Sequence, residues 1–234
     1  MLGIVVSLPR ELKSLTREAI PVGAWRALTD NTLVALSGIG PESAHRAGTT
    51  LVAQGARALV SWGCAAALDD RASPGWLILP ERIIGAHGEI YKVNAEWHQR
   101  IYKKTLEADH PVIAAPLVES DKILKTSAEK KALATRTQAA ATDMESAAQA
   151  RLAQEHGLPF IAIRAIVDTV STNIPENVLK ALDSQGDVTV WKLITSIPLM
   201  PADWLKLIQL GIQFNAAQRT LKRTSKLVLD ASWV

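Results

Sequence analysis

With a single cysteine, Cys64, in 234 residues, the chain can form no internal disulfide, and a reducing compartment is the natural inference. It lacks any run approaching the roughly 20 apolar residues that a membrane-spanning helix requires. It also lacks a charged-then-apolar leader, so a cytoplasmic protein without signal peptide is expected. Its five histidines, His45, His87, His98, His110 and His156, show no metal-ligand spacing, and neither a metal nor a cofactor is expected. A net charge of +3 is too small to imply nucleic-acid binding. There is no internal repeat, no low-complexity tract and no interdomain linker. The apolar share of 48% excludes a disordered chain, and the length suits one α/β domain spanning 1–234.

Strand and helix patterns alternate. Apolar runs predict strands at 2–7, 33–37, 58–62, 76–84, 112–118, 139–143 and 160–167. Helical spacing predicts helices at 10–19, 42–54, 95–107, 127–135, 145–156, 177–184 and about 202–226. Such alternation favours a three-layer α/β/α domain with a mainly parallel, mixed central sheet.

The most informative stretch joins ATDMESAA at 141–148 to IRAIVDT at 163–169. Met144-Glu145 opens a helix that Gly157 and Pro159 end. The apolar run that follows reads as a buried parallel strand closing on Asp168. In open α/β sheets that edge of the sheet is where ligands bind. Each acid also has a plainer explanation. Glu145 could favour the helix dipole, Glu11 could be an ordinary first-turn acid, and Asp168 could cap a turn with Thr169 and Ser171. Cys64 reads as a packed small residue, and His156 as a cation at a helix carboxyl end.

Four blocks in order resemble the purine and uridine phosphorylase superfamily, and within it the methylthioadenosine/S-adenosylhomocysteine nucleosidases. They are GIVVSLPRELKSL at 3–15, SGIG at 37–40, WGCAAAL at 62–68, and the Met-Glu helix followed by Arg-Ala-Ile-x-Asp. The resemblance implies cleavage of an N-glycosidic bond, with a homodimer or higher homo-oligomer. It assigns Asp168 as general acid to the leaving purine and Glu11 as the residue that orients an attacking water. Glu145 would hold the ribose hydroxyls and Met144 would pack on the ribose face. The pattern departs at the 62–68 loop, where a serine and two glycines become Cys64, Ala65 and Ala66; the resemblance still implies that Cys64 is a substrate-binding position, with a bulkier surface. The aromatic that stacks on the purine falls near Ile123, so Ile123 and Leu124 are the expected base-facing residues, with Lys122 beside them. Pro9 and Arg10 replace acidic positions. The stretch LVSWG carries no basic residue for phosphate, which favours hydrolysis over phosphorolysis. A phosphorylase, or a nucleoside-binding protein that has lost catalysis, is the alternative.

Beyond Pro201 the segment DWLKLIQLGIQFNAAQRTLKRTSKLVL repeats apolar residues at three-four spacing: Leu207, Leu210, Phe214, Ala217 and Leu221. Lys206, Arg219, Lys222, Arg223 and Lys226 make this helix basic. It could pack on the sheet or a subunit, or lie against anionic lipid as a peripheral membrane contact. This tail and the GCAAALD loop resemble the hopanoid-associated members of the superfamily, which are implicated in removing adenine from adenosylhopane. That implies a lipid-linked nucleoside as substrate.

Overall fold

The computed structural model describes residues 1–174 and 201–229, with the backbone alone for 201–207; the helix expected at 177–184 lies outside them. Among the described residues, eleven strands form one mixed sheet. They are β1 (Leu2–Val6), β2 (Trp25–Thr29), β3 (Thr32–Leu36), β4 (Ala58–Ala67), β5 (Leu77–Ile78), β6 (Arg82–Ile84), β7 (Ile90–Lys92), β8 (Val112–Ile113), β9 (Leu117–Glu119), β10 (Ala141–Asp143) and β11 (Phe160–Asp168). The helices are α1 (Pro9–Leu12), α2 (Pro41–Ala53), α3 (Ala95–Glu107), α4 (Ser127–Thr137), α5 (Ser146–Glu155) and α6 (Pro201–Leu229).

Strand β4 is the axis. Its first half runs parallel to β1, from Leu2 opposite Ala58 to Val6 opposite Trp62. On its other side lies β11, also parallel, from Phe160 opposite Leu59 to Asp168 opposite Ala66. Where β1 ends, β10 takes its place, pairing antiparallel with Ala66 and Ala67. The sheet therefore forks around Gly63–Ala65, and the carboxyl ends of β1, β10 and β11 converge there. Two apolar layers hold this frame. One joins Leu51, Leu59, Leu152 and Phe160 beneath α2 and α5. The other joins Ile4, Val60, Trp62 and Ile163 to Trp97 of α3 and to Ala217 and Leu221 of α6. The second half of α6 is thus a packed core element lying across β11 and α3.

Prolines and side-chain competition explain where elements differ from expectation. The strand expected at 76–84 is two, because Pro80 cannot donate to a ladder; Pro116 divides 112–118 in the same way. The helix expected at 10–19 stops at Leu12, and the Ser14 hydroxyl bonds the Glu11 carbonyl at 2.6 Å, a local competitor of helix continuation. Trp62 Nε1 then fixes that hydroxyl at 2.9 Å. The expected turn after Trp62 is instead continuous strand to Ala67. The β2–β3 hairpin was not expected. Its alternation at Trp25–Thr29 and its Asp30-Asn31 turn are the signals that could have shown it.

Candidate active site

The fork in the sheet encloses a cavity of about 250 Å³. All seven residues singled out from the sequence line it: Glu11, Cys64, Ile123, Leu124, Met144, Glu145 and Asp168. Val167, Ile174 and Phe214 add apolar wall that the sequence did not assign to a site. A larger cleft of about 500 Å³, walled by Arg46, Glu119 and Arg151 among others, contains none of the seven.

Glu11 is buried in the third position of α1. Its Oε2 accepts from the Leu8 amide at 3.1 Å, as a first-turn acid should. Its Oε1 also reaches across to accept from the Cys64 amide at 2.7 Å. Gly63 makes that approach possible: a Cβ there would stand 2.8 Å from Glu11 Oε1, closer than real side-chain contacts allow. Cys64 contributes its backbone N–H to this site. Burial, and after it the Glu11 charge, push its thiol well above the ordinary range, which argues against a thiolate nucleophile.

Glu145 does not cap its own helix through its side chain. Its Oε1 instead accepts from the amide of Gly40 at 2.9 Å, 105 residues away, and Oε2 accepts from the Met144 amide at 3.2 Å. Gly40 is held at φ 95° where α2 begins, a conformation that favours glycine. Burial, then the neighbouring Asp143, push the Glu145 carboxyl from 4.5 up to about 8, with Arg164 opposing them. Glu11 is likewise raised by burial, opposed by Arg164 and by its amide donors.

Arg164 underlies the carboxylates. It is 2% exposed, and its Nε donates to Asp143 Oδ2 at 2.7 Å. Its Nη2 donates to the hydroxyls of Ser61 at 2.6 Å and Ser146 at 3.0 Å. Burial alone would lower the guanidinium's pKa, but Asp143, Glu145 and Glu11 hold it above its ordinary value. Asp168 is buried at the end of β11. Burial raises its carboxyl, opposed by the ion pair its Oδ2 forms with Lys130 Nζ. The adjacent turn is closed by the hydroxyls of Thr169 and Thr172 at 2.9 Å. Lys130 was not singled out from the sequence, because SAEKKALATRT reads as an ordinary polar helix.

A raised carboxyl destabilises the fold once it ionises. Glu145 is neutral in the folded chain where its unfolded counterpart, near 4.5, is already charged. Its burial therefore costs stability progressively as pH rises from that value through about 8. Glu145→Gln should melt above the parent chain at pH 8.5, and the gap should shrink at pH 5. An equal gap at both pH values in thermal denaturation would contradict this.

The mixed, mainly parallel sheet with a slot at its strand ends is a nucleoside phosphorylase-like α/β architecture. The pattern of the phosphorylase superfamily matches residues 2–189, and the chain belongs to that superfamily. No curated protein sequence matches the chain. Among solved structures, it resembles the Helicobacter pylori 5′-methylthioadenosine/S-adenosylhomocysteine nucleosidase complexed with a pyrrolopyrimidine-bearing pyrrolidinol. The TM-score is 0.74 at 15% identity, over 98% of this chain and 97% of that one. Futalosine hydrolase of Helicobacter pylori gives the same values. The Neisseria meningitidis 5′-methylthioadenosine/S-adenosylhomocysteine nucleosidase in complex with methylthio-immucillin-A gives 0.73 at 15% identity, over 98% and 99%. At this identity the likeness bears on the fold. Among the described residues no helix is long and apolar enough to cross a membrane, and no group of three or more His, Cys, Asp or Glu could hold a metal ion.

Proposed function

We propose that the cavity cleaves the N-glycosidic bond of a 5′-substituted adenosine and releases adenine. The observation that carries this reading is the convergence of Glu11, Glu145 and Asp168 on one slot, each buried and each held by partners distant in sequence. Asp168 protonates the departing purine as the bond electrons pass to it. Glu145 holds the ribose hydroxyls and, in its ionised form, stabilises the positive charge that develops on the sugar, so its contribution grows as pH rises toward about 8. Glu11 orients water toward the anomeric carbon. Ile123 and Leu124 face the base, Met144 the ribose, and Cys64 supplies backbone beside Glu11.

Hydrolysis is favoured over phosphorolysis because Lys122 is the one basic residue among the described residues that line the cavity, and its Nζ lies 3.9 Å from Glu129. A lipid-linked 5′ group, as in the adenosylhopane of hopanoid biosynthesis, is supported by the apolar side of the slot. Phe214 of α6 joins that wall, while Ile208 and Ile212 of the same helix are 58% and 64% exposed. Burying hydrocarbon contributes roughly 25 cal/mol per Å² before ordering costs. On this reading kcat/KM rises as the 5′ substituent is lengthened from methylthio to a long alkyl chain.

The sugar product tests the reaction type. A free ribosyl sugar formed in phosphate buffer supports hydrolysis, and a ribosyl 1-phosphate overturns it. Indifference to 5′ chain length would remove the lipid substrate and leave a methylthioadenosine/S-adenosylhomocysteine nucleosidase.

A further inference from the structure

Lys130 has no exposed side-chain surface, yet it lies on α4, an otherwise polar helix. Its Nζ donates to Asp168 Oδ2, to the Thr169 carbonyl at 2.8 Å and to the Thr172 carbonyl at 3.2 Å. All three hydrogens of an ammonium are thereby used. A buried cation is costly and its pair with a carboxylate is weak evidence of stabilisation, so holding a turn explains Lys130 poorly: serine, threonine or arginine could do so nearer the surface. The pair also ends on the one carboxylate at the tip of β11 that lines the cavity. Among the described residues, the titratable groups facing Asp168 are Lys130 of α4 and the Cys64 thiol of β4.

We propose that Lys130 is a positioning residue that sets the acidity and the orientation of Asp168, an inference resting on the function proposed above. With Oδ2 fixed by the ammonium, Oδ1 is the oxygen that carries a proton to the base. As the C1′–N9 bond breaks, its electron pair passes to the purine and the Oδ1 proton moves to the purine's imidazole nitrogen. The carboxylate left behind is the partner of Lys130. The water that Glu11 orients bonds to C1′ through its oxygen and releases one proton by way of Glu11 to solvent; solvent returns one proton to Asp168, so each turnover balances. Lys130 makes Asp168 a stronger acid than burial alone would leave it, and it stabilises the anion that transfer creates.

Lys130→Met tests this, with Lys130→Gln as a second variant should the first not fold. On the acid plateau kcat should fall about 10–100-fold with KM little changed, a share of what a general acid supplies. The alkaline limb of kcat/KM should move upward, because Asp168 must be protonated to act and loses the cation that lowers its pKa. In an Asp168→Asn background the same change should cost nothing further. An unmoved limb, or losses that multiply across the two sites, would reduce Lys130 to a turn staple. A parent chain that releases no adenine overturns the function and the pair together. An active parent with an unmoved limb overturns the pair alone.

Discussion

Asp168→Asn is expected to lower kcat by about 10²–10⁴-fold while nucleoside binding persists, the range for a lost general acid. An amide keeps the shape of the β11 terminus and can still hydrogen bond the base, but it has no proton to give as the bond breaks. The variant also leaves the buried Lys130 without its counter-charge. Some loss of stability is therefore expected, and turnover is to be compared well below the melting temperature. Burst-free steady-state kinetics together with a direct binding measurement check the outcome. Turnover near that of the parent chain in a folded variant would remove Asp168 from the chemistry.

The largest effect on stability is expected at Arg164. Arg164→Met strips the buried Asp143 of its cation and removes the guanidinium donor from the hydroxyls of Ser61 and Ser146, which keep only their bond to each other and that of Ser146 to Asp143. Breaking one side of a buried pair costs about 3–5 kcal/mol, because the remaining charge is stranded. It should also raise Glu11 and Glu145 further, since Arg164 opposes their burial. Urea denaturation would show the drop in midpoint. Adding Asp143→Asn should recover part of it, as expected when the penalty belongs to an unpaired anion. A loss below about 1 kcal/mol would mean that solvent reaches this cluster and the charges are not buried.

Asp168 was legible as a cavity position because a buried strand ends on it; Glu11 and Glu145 each read equally as helix-start acids, and only the resemblance of their blocks to the phosphorylase superfamily singled them out. The mainly parallel α/β fold followed from the alternation of strand and helix patterns. Lys130 was not legible. Nothing in a KK pair on a polar helix tells which lysine turns inward, and that depends on where the end of β11 lies. Phe214 carried a helical apolar period, which reads the same whether it faces core or cavity. The Glu11–Gly63 approach was hidden for a different reason. Gly63 looked like one letter of a loop, whereas it is a strand residue whose missing Cβ makes room for the carboxylate. The short strands around Pro80 and Pro116 escaped because an apolar run does not show that its backbone pairing has been interrupted.

The appearance of free adenine from a purified chain given 5′-methylthioadenosine and a long-chain 5′-alkyl adenosine tests the account most directly. The convergence of the three carboxylates on one slot predicts stoichiometric release of adenine from both, faster for the long chain, and slowed about 10²–10⁴-fold in Asp168→Asn. Tight binding of either nucleoside with no adenine formed would contradict it, and would make the cavity a binding site on a scaffold without catalysis.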